Sequence, residues 1–82
     1  MKADHHTINF YTKEGCHLCE AALNIIEQAA EKIDFQYNLI DITSDDELMK
    51  KFDIDIPVIE IDGEIAFKHK VDKKKLISIL KI

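Results

Sequence analysis

The 82 residues contain no arginine and no tryptophan, one proline, two glycines and two cysteines. Each shortage excludes something. All eleven basic residues are lysine and the net charge is −5. Such a chain has neither the basic surface nor the guanidinium forks that hold phosphates and guanine edges, so nucleic acid is not an expected partner. No apolar run approaches the roughly 20 residues that cross a bilayer. Met1-Lys2-Ala3-Asp4-His5-His6 lacks the apolar stretch of a secretory leader. A soluble, cytoplasmic protein without a membrane partner is expected. Two cysteines are too few for the disulfide framework of small secreted domains, and a bridge closing so short a loop stabilises little. Cys16 and Cys19 are therefore read as chemistry rather than scaffolding.

What is present fits one compact domain over residues 1–82, with 1–6 a frayed terminus and the whole a monomer. Thr7 to Thr12 alternate and carry β-branched and aromatic residues, which predicts a strand. From His17 to about Lys32, Leu18, Ala22, Ile25, Ile26, Ala29 and Ile33 recur at three- and four-residue steps, one face of an amphipathic helix. Phe35 to Ile42 returns to strand composition. Ser44-Asp45-Asp46-Glu47 has the form of a capping box ahead of a short helix to Phe52.

Pro57, lacking a backbone donor, suits the start of a strand over Val58–Ile61. Asp62-Gly63 is a hairpin signal leading into Glu64–Phe67. Asp72 can cap a last helix in which Leu76, Ile79 and Leu80 share a face. The order βαβ-α-ββ-α predicts an α/β fold, a four-stranded mixed sheet flanked by helices. Its first two strands should be parallel and its last two an antiparallel hairpin.

Cys16-His17-Leu18-Cys19 falls where the first strand hands over to the first helix. Residues three apart on a regular helix are too far apart for a disulfide, but a first cysteine at the cap, where the backbone is not yet helical, lets the sulfurs meet. The unpaired N–H groups and positive end of the helix favour a thiolate at Cys16 and draw its pKa below that of a free thiol. Cys19, one turn in, is shielded. Cys16 is then the nucleophile and Cys19 the resolving thiol of a disulfide exchange. His17 is a candidate for tuning the potential, because an imidazolium beside Cys16 stabilises the thiolate.

Strand, Cys-x-x-Cys, helix, strand, helix, proline and hairpin in this order resemble the thioredoxin superfamily, and in particular its glutaredoxin-like branch, from Thr7 onward. The resemblance implies a thioredoxin fold and a thiol–disulfide oxidoreductase that needs no cofactor. It implies a disulfide-containing protein substrate, and glutathione or a thioredoxin-reductase-like enzyme as reductant. Ile54-Asp55-Ile56-Pro57-Val58 matches the family's cis-proline segment, which implies a cis Ile56–Pro57 bond and Ile56 backbone contact with an extended substrate. Lys13 matches the lysine that glutaredoxins place to meet a glutathione carboxylate; a solvated strand-end lysine is the other reading.

The chain also departs from the family pattern. Neither Cys-Pro-Tyr-Cys nor Trp-Cys-Gly-Pro-Cys is present. The paired glycines many glutaredoxins carry after the hairpin are replaced by Ala66-Phe67, whose side chains would crowd a γ-glutamyl group. Asp72 matches an acidic position of the family, and capping alone accounts for it.

The alternative class is a metal-binding module or metallochaperone, since two thiolates at this spacing also suit Cu(I) or Zn(II). Glu14 stands where such metallochaperones have methionine, and Lys73–Ile82 reads as a helix where they end on a strand. His5, His6, His17 and His69 show no zinc-finger spacing and are read as solvated, so no metal site is assigned.

Overall fold

The computed structural model describes residues 6–81. In chain order these form β1 (His6–Thr12), α1 (His17–Ala30), β2 (Phe35–Asp41), a 3-10 turn (Ile42–Ser44), α2 (Asp46–Phe52), β3 (Val58–Ile61), β4 (Glu64–Lys68) and α3 (Lys73–Leu80). The sheet order is β2-β1-β3-β4. β1 pairs parallel with β2, Phe10 opposite Leu39. It pairs antiparallel with β3, Tyr11 opposite Val58. β3 and β4 form an antiparallel hairpin with an irregularity between Ile59 and Glu60. This is the α/β thioredoxin architecture that the element order predicts.

Side-chain alternation gives the sheet two different faces. Ile8, Phe10, Ile59, Ile61 and Phe67 are buried in the main core. Facing them from α1 are Cys19, Ala22, Ile26 and Ala29, at steps of three and four residues. Leu76 and Leu80 of α3 complete the layer. On the opposite face Asn38 donates to Asn9, and Asn9 donates to Glu60, a polar ladder across three strands. Tyr11 closes that ladder with a 3.3 Å bond to Glu60 and stacks 4.7 Å from Phe52 of α2. Desolvation first, then the Glu60 charge, pushes the Tyr11 phenol pKa up.

Several details differ from the sequence reading. The α2 cap is Asp45, whose carboxylate accepts from Glu47 N–H. Ser44 closes the 3-10 turn and its hydroxyl donates to the Asp41 carbonyl, so no capping box forms. His6 opens β1 opposite Phe35, where a frayed terminus is expected; residues 1–5 of that segment lie outside the described residues, as does Ile82. Leu18 is 44% exposed and the buried helix position is Cys19. Ala66 and Phe67 lie within β4, with Phe67 in the core. Phe67 thus faces the core, and Ala66 beside it is half-buried.

The hairpin turn is built as its sequence demands. Asp62 and Gly63 both have positive φ, 52° and 89°, the geometry that closes a two-residue hairpin with the right twist. Asp62 also accepts from Thr7 N–H at 3.0 Å and meets the His6 ring. These bonds, the Thr7 amide first, hold the Asp62 carboxyl below the usual aspartate range, and bonds from Thr43 do the same for Asp41. A carboxyl held low in the fold binds fewer protons than the same group unfolded, so its stabilisation is present at neutral pH and lost on acidification. Stability should therefore fall as the pH drops below about 3.9 and through the lowered folded values. Asp62→Asn, which tolerates the left-handed backbone, should flatten part of that acid limb in urea melts at successive pH values. An unchanged acid limb would remove Asp62 from the account.

Candidate functional site

β1 ends at Thr12, and Lys13-Glu14-Gly15 turn the chain into α1. Gly15 has φ +81°, a left-handed backbone that side chains resist. The turn places Cys16 at the N-cap of α1 with φ −98° and ψ 106°. The Cα atoms of Cys16 and Cys19 are 5.2 Å apart, within disulfide reach, and the two sulfurs are bonded. The Cys16 sulfur also accepts the Cys19 N–H at 3.1 Å, so it takes the place of the oxygen that usually caps a helix. Cys16 is half-buried, whereas Cys19 is only 4% exposed. The two sulfurs differ in access before any chemistry is considered.

Cys16 and Cys19 line an open pocket of about 220 Å³ with Phe10, Lys13, Glu14 and Glu20. The Lys13 ammonium donates to Asp53 at 2.9 Å, a partner with no signal in the sequence. With that charge engaged, the pocket's other ionic groups are the carboxylates Glu14 and Glu20.

The Ile56–Pro57 peptide is cis, as the family resemblance implies. Pro57 is fully buried and Ile56 is 8% exposed. Val58, which follows Pro57, pairs with Tyr11, and the next residue of β1, Thr12, is a wall of the cysteine pocket. Lys13, Cys16 and Cys19 thus share one pocket, which Ile56 and Pro57 do not line. His17, the first residue of α1, is exposed and does not line this pocket.

One residue bonded to the cis-proline segment is one that sequence reasoning did not single out for the site. His69 takes a left-handed φ of 70°, uncommon for a side chain of this size. This backbone lets its N–H donate to the Pro57 carbonyl at 2.9 Å. Its ring lies 3.9 Å from Asp55, which also accepts from Lys68 at 3.4 Å. A histidine in a glycine-like conformation has no local signature, so only the folded chain reveals it. Ile54, between Asp53 and Asp55, is 84% exposed.

Among the described residues no three His, Cys, Asp or Glu side chains converge as a metal-binding group. His6 meets Asp62, and His69 is beside Asp55, both away from the sulfurs; His5 lies outside the described residues. No described helix is long and apolar enough to cross a membrane.

A Cys-x-x-Cys pair capping the first helix of this sheet defines a thioredoxin-superfamily protein of the glutaredoxin-like kind. Residues 7–81 match the family described as a glutaredoxin-like domain (DUF836), and the chain belongs to that family. A glutaredoxin-like protein of Dictyostelium discoideum is 41% identical, over 84% of this chain and 69% of that one. Protein Ne2328 of Nitrosomonas europaea shares the fold with a TM-score of 0.81 at 20% identity, over 96% of this chain and 95% of that one. Chloroplastic thioredoxin z shares it with a TM-score of 0.75 at 20% identity, over 94% and 76%.

The turn before Cys16 is testable on its own. A Cβ built on Gly15 meets nothing within 4 Å, so Gly15→Ala should destabilise through the backbone alone, by about 1–2 kcal/mol. Gly15→Asn should recover part of the loss, because asparagine visits this region more readily. Denaturant midpoints check both, and an unchanged midpoint for Gly15→Ala would show that the turn relaxes freely.

Proposed function

We propose that this protein is a thiol–disulfide oxidoreductase acting on disulfides of protein partners in a reducing, cytoplasmic setting. One observation carries the reading: the Cys16 sulfur caps α1, accepts the Cys19 N–H at 3.1 Å and is within bonding distance of Cys19. A thiolate at that position is stabilised by the helix terminus and by a backbone donor already aimed at it. In the reduced protein Cys16 attacks one sulfur of the substrate disulfide. The Cys16–substrate disulfide forms, and the other substrate sulfur leaves and takes a proton.

Cys19, one turn in, then attacks the Cys16 sulfur. It gives up its proton to the departing substrate thiolate, and the Cys16–Cys19 disulfide closes. Two electrons pass from the pair to the substrate; one proton comes from Cys19, and solvent supplies the other, which Cys16 lost to it on ionising. A thiol reductant, either glutathione or a reductase dithiol, returns them by the reverse exchange. The Ile56 backbone pairs with the extended substrate. Lys13 meets a substrate carboxylate on release from Asp53.

Cys16→Ser should abolish disulfide reduction, and Cys19→Ser should accumulate a mixed disulfide visible as an intact-mass adduct. Full activity in Cys16→Ser would overturn the mechanism. His17→Ala should displace the reduction potential of the pair by more than about 10 mV, on a scale where 30 mV is about 1.4 kcal/mol. A titration against glutathione buffers measures this, and a smaller displacement would remove His17 from the tuning role.

A further inference from the structure

On the opposite face of α1 from the acidic pocket lies a second groove, of about 210 Å³. Leu18, Ala21 and Ile25 of α1 form one wall, and His69, Lys70 and Val71 the other. Leu18 and Ile25 are apolar positions that the helix leaves partly exposed. The groove is smaller than the roughly 300–1,000 Å³ of small-molecule sites and has the scale of a single large side chain.

Charge singles this groove out. Five of the eleven lysines fall within residues 68–75, against one acid, Asp72. That segment carries +4 in a chain whose net charge is −5, leaving −9 on the remainder. Lys70 forms the rim, and Lys73 reaches across to Gln28 of α1 at 2.9 Å.

Lys73, Lys74 and Lys75 occupy the first turn of α3, which holds no acidic residue. Lysines are disfavoured at that end of a helix, where the peptide dipoles are already positive. α2 shows the ordinary arrangement, with Asp46 and Glu47 in its first turn and Lys50 and Lys51 in its last. A local rule kept in one helix and broken in another is a mark of function.

We propose that this groove docks the segment flanking the reactive cysteine of a disulfide-bearing protein, taking one aliphatic or aromatic side chain against Leu18 and Ile25 and carboxylates against the Lys70–Lys75 rim. The proposal rests on the exchange reading given above and adds which substrates it favours. Glutathione offers carboxylates but no apolar side chain for the groove. With Glu14 and Glu20 in the cysteine pocket and Lys70 on the groove, the difference in charge between the two faces of α1 orients the bound segment.

The test uses the reduced protein and three short peptides, each carrying its cysteine as a disulfide to neutral 2-thiopyridine. One has a leucine and three glutamates beside the cysteine, one a leucine and three lysines, and one an alanine and three glutamates. Release of thiopyridone reports the second-order rate constant. The leucine–glutamate peptide should react about tenfold faster than the lysine peptide at low salt, with the ratio shrinking in 0.5 M salt. It should also outpace the alanine peptide. Lys70→Glu combined with Lys73→Glu should bring the acidic-to-basic ratio to one or below.

Equal rates for the acidic and basic peptides, both well above that of a free cysteine, would overturn the docking proposal and leave the exchange reading intact. If no peptide reacts faster than free cysteine, the exchange reading itself fails. A dimer in sedimentation that the double substitution disperses would assign the groove to a second copy and overturn the proposal. If the double variant does not fold by circular dichroism, the salt dependence of the unaltered protein decides.

Discussion

β1 is the constraint on which everything else rests. It pairs on one side with β2 and on the other with β3, and Ile8 and Phe10 bury almost completely beneath α1. A strand fixed on both edges and on one face has no freedom of register, because a slip of one residue would turn its apolar set to the other face. Its end is therefore a fixed point. From there Gly15 reverses the chain and Cys16 caps α1, while the antiparallel register sets Val58, the residue after Pro57, opposite Tyr11. The site is assembled by sheet register and one short turn, with no long loop involved.

The cap on α1 joins stability to chemistry. The 3-10 turn, α2 and α3 are capped by carboxylates of Asp41, Asp45 and Asp72. Only α1 is capped by sulfur. A neutral sulfur is a weak acceptor, whereas a thiolate makes the stronger, charge-assisted bond. Reduction of the pair to a Cys16 thiolate thus strengthens the helix terminus that stabilises that thiolate. The same N–H serves the fold in one redox state and the reaction in the other.

Much of this is legible in the sequence because it depends on local pattern. The Asp62-Gly63 turn, the Asp72 cap and the strand order follow from residues whose backbone preferences point one way. The cis Ile56–Pro57 bond was accessible through resemblance, since only proline tolerates that isomer readily. What escaped depends on tertiary contact. Leu18 fits the apolar period of α1, yet Cys19 takes the buried position and leaves Leu18 on the groove. Ser44 has the spacing of a cap, but the 3-10 turn claims it for Asp41. The Lys13–Asp53 bond joins residues 40 apart, and His69 adopts a glycine-like backbone because the Pro57 carbonyl receives its N–H.

A chain of 82 residues has little core to spare for a moving part, and the arrangement of this site needs none. Both sulfurs lie within one helical turn, so closing or opening their bond leaves the sheet register untouched. Cys19 is sealed beneath the helix surface and Cys16 is half-buried, so in the proposed exchange burial makes Cys16 the point of attack from outside and leaves Cys19 to attack second. The acidic pocket and the groove bordered by Lys70 lie on opposite faces of α1, the helix that Cys16 caps. Selectivity among partners can therefore reside in surface charge, which varies without disturbing the packed core beneath.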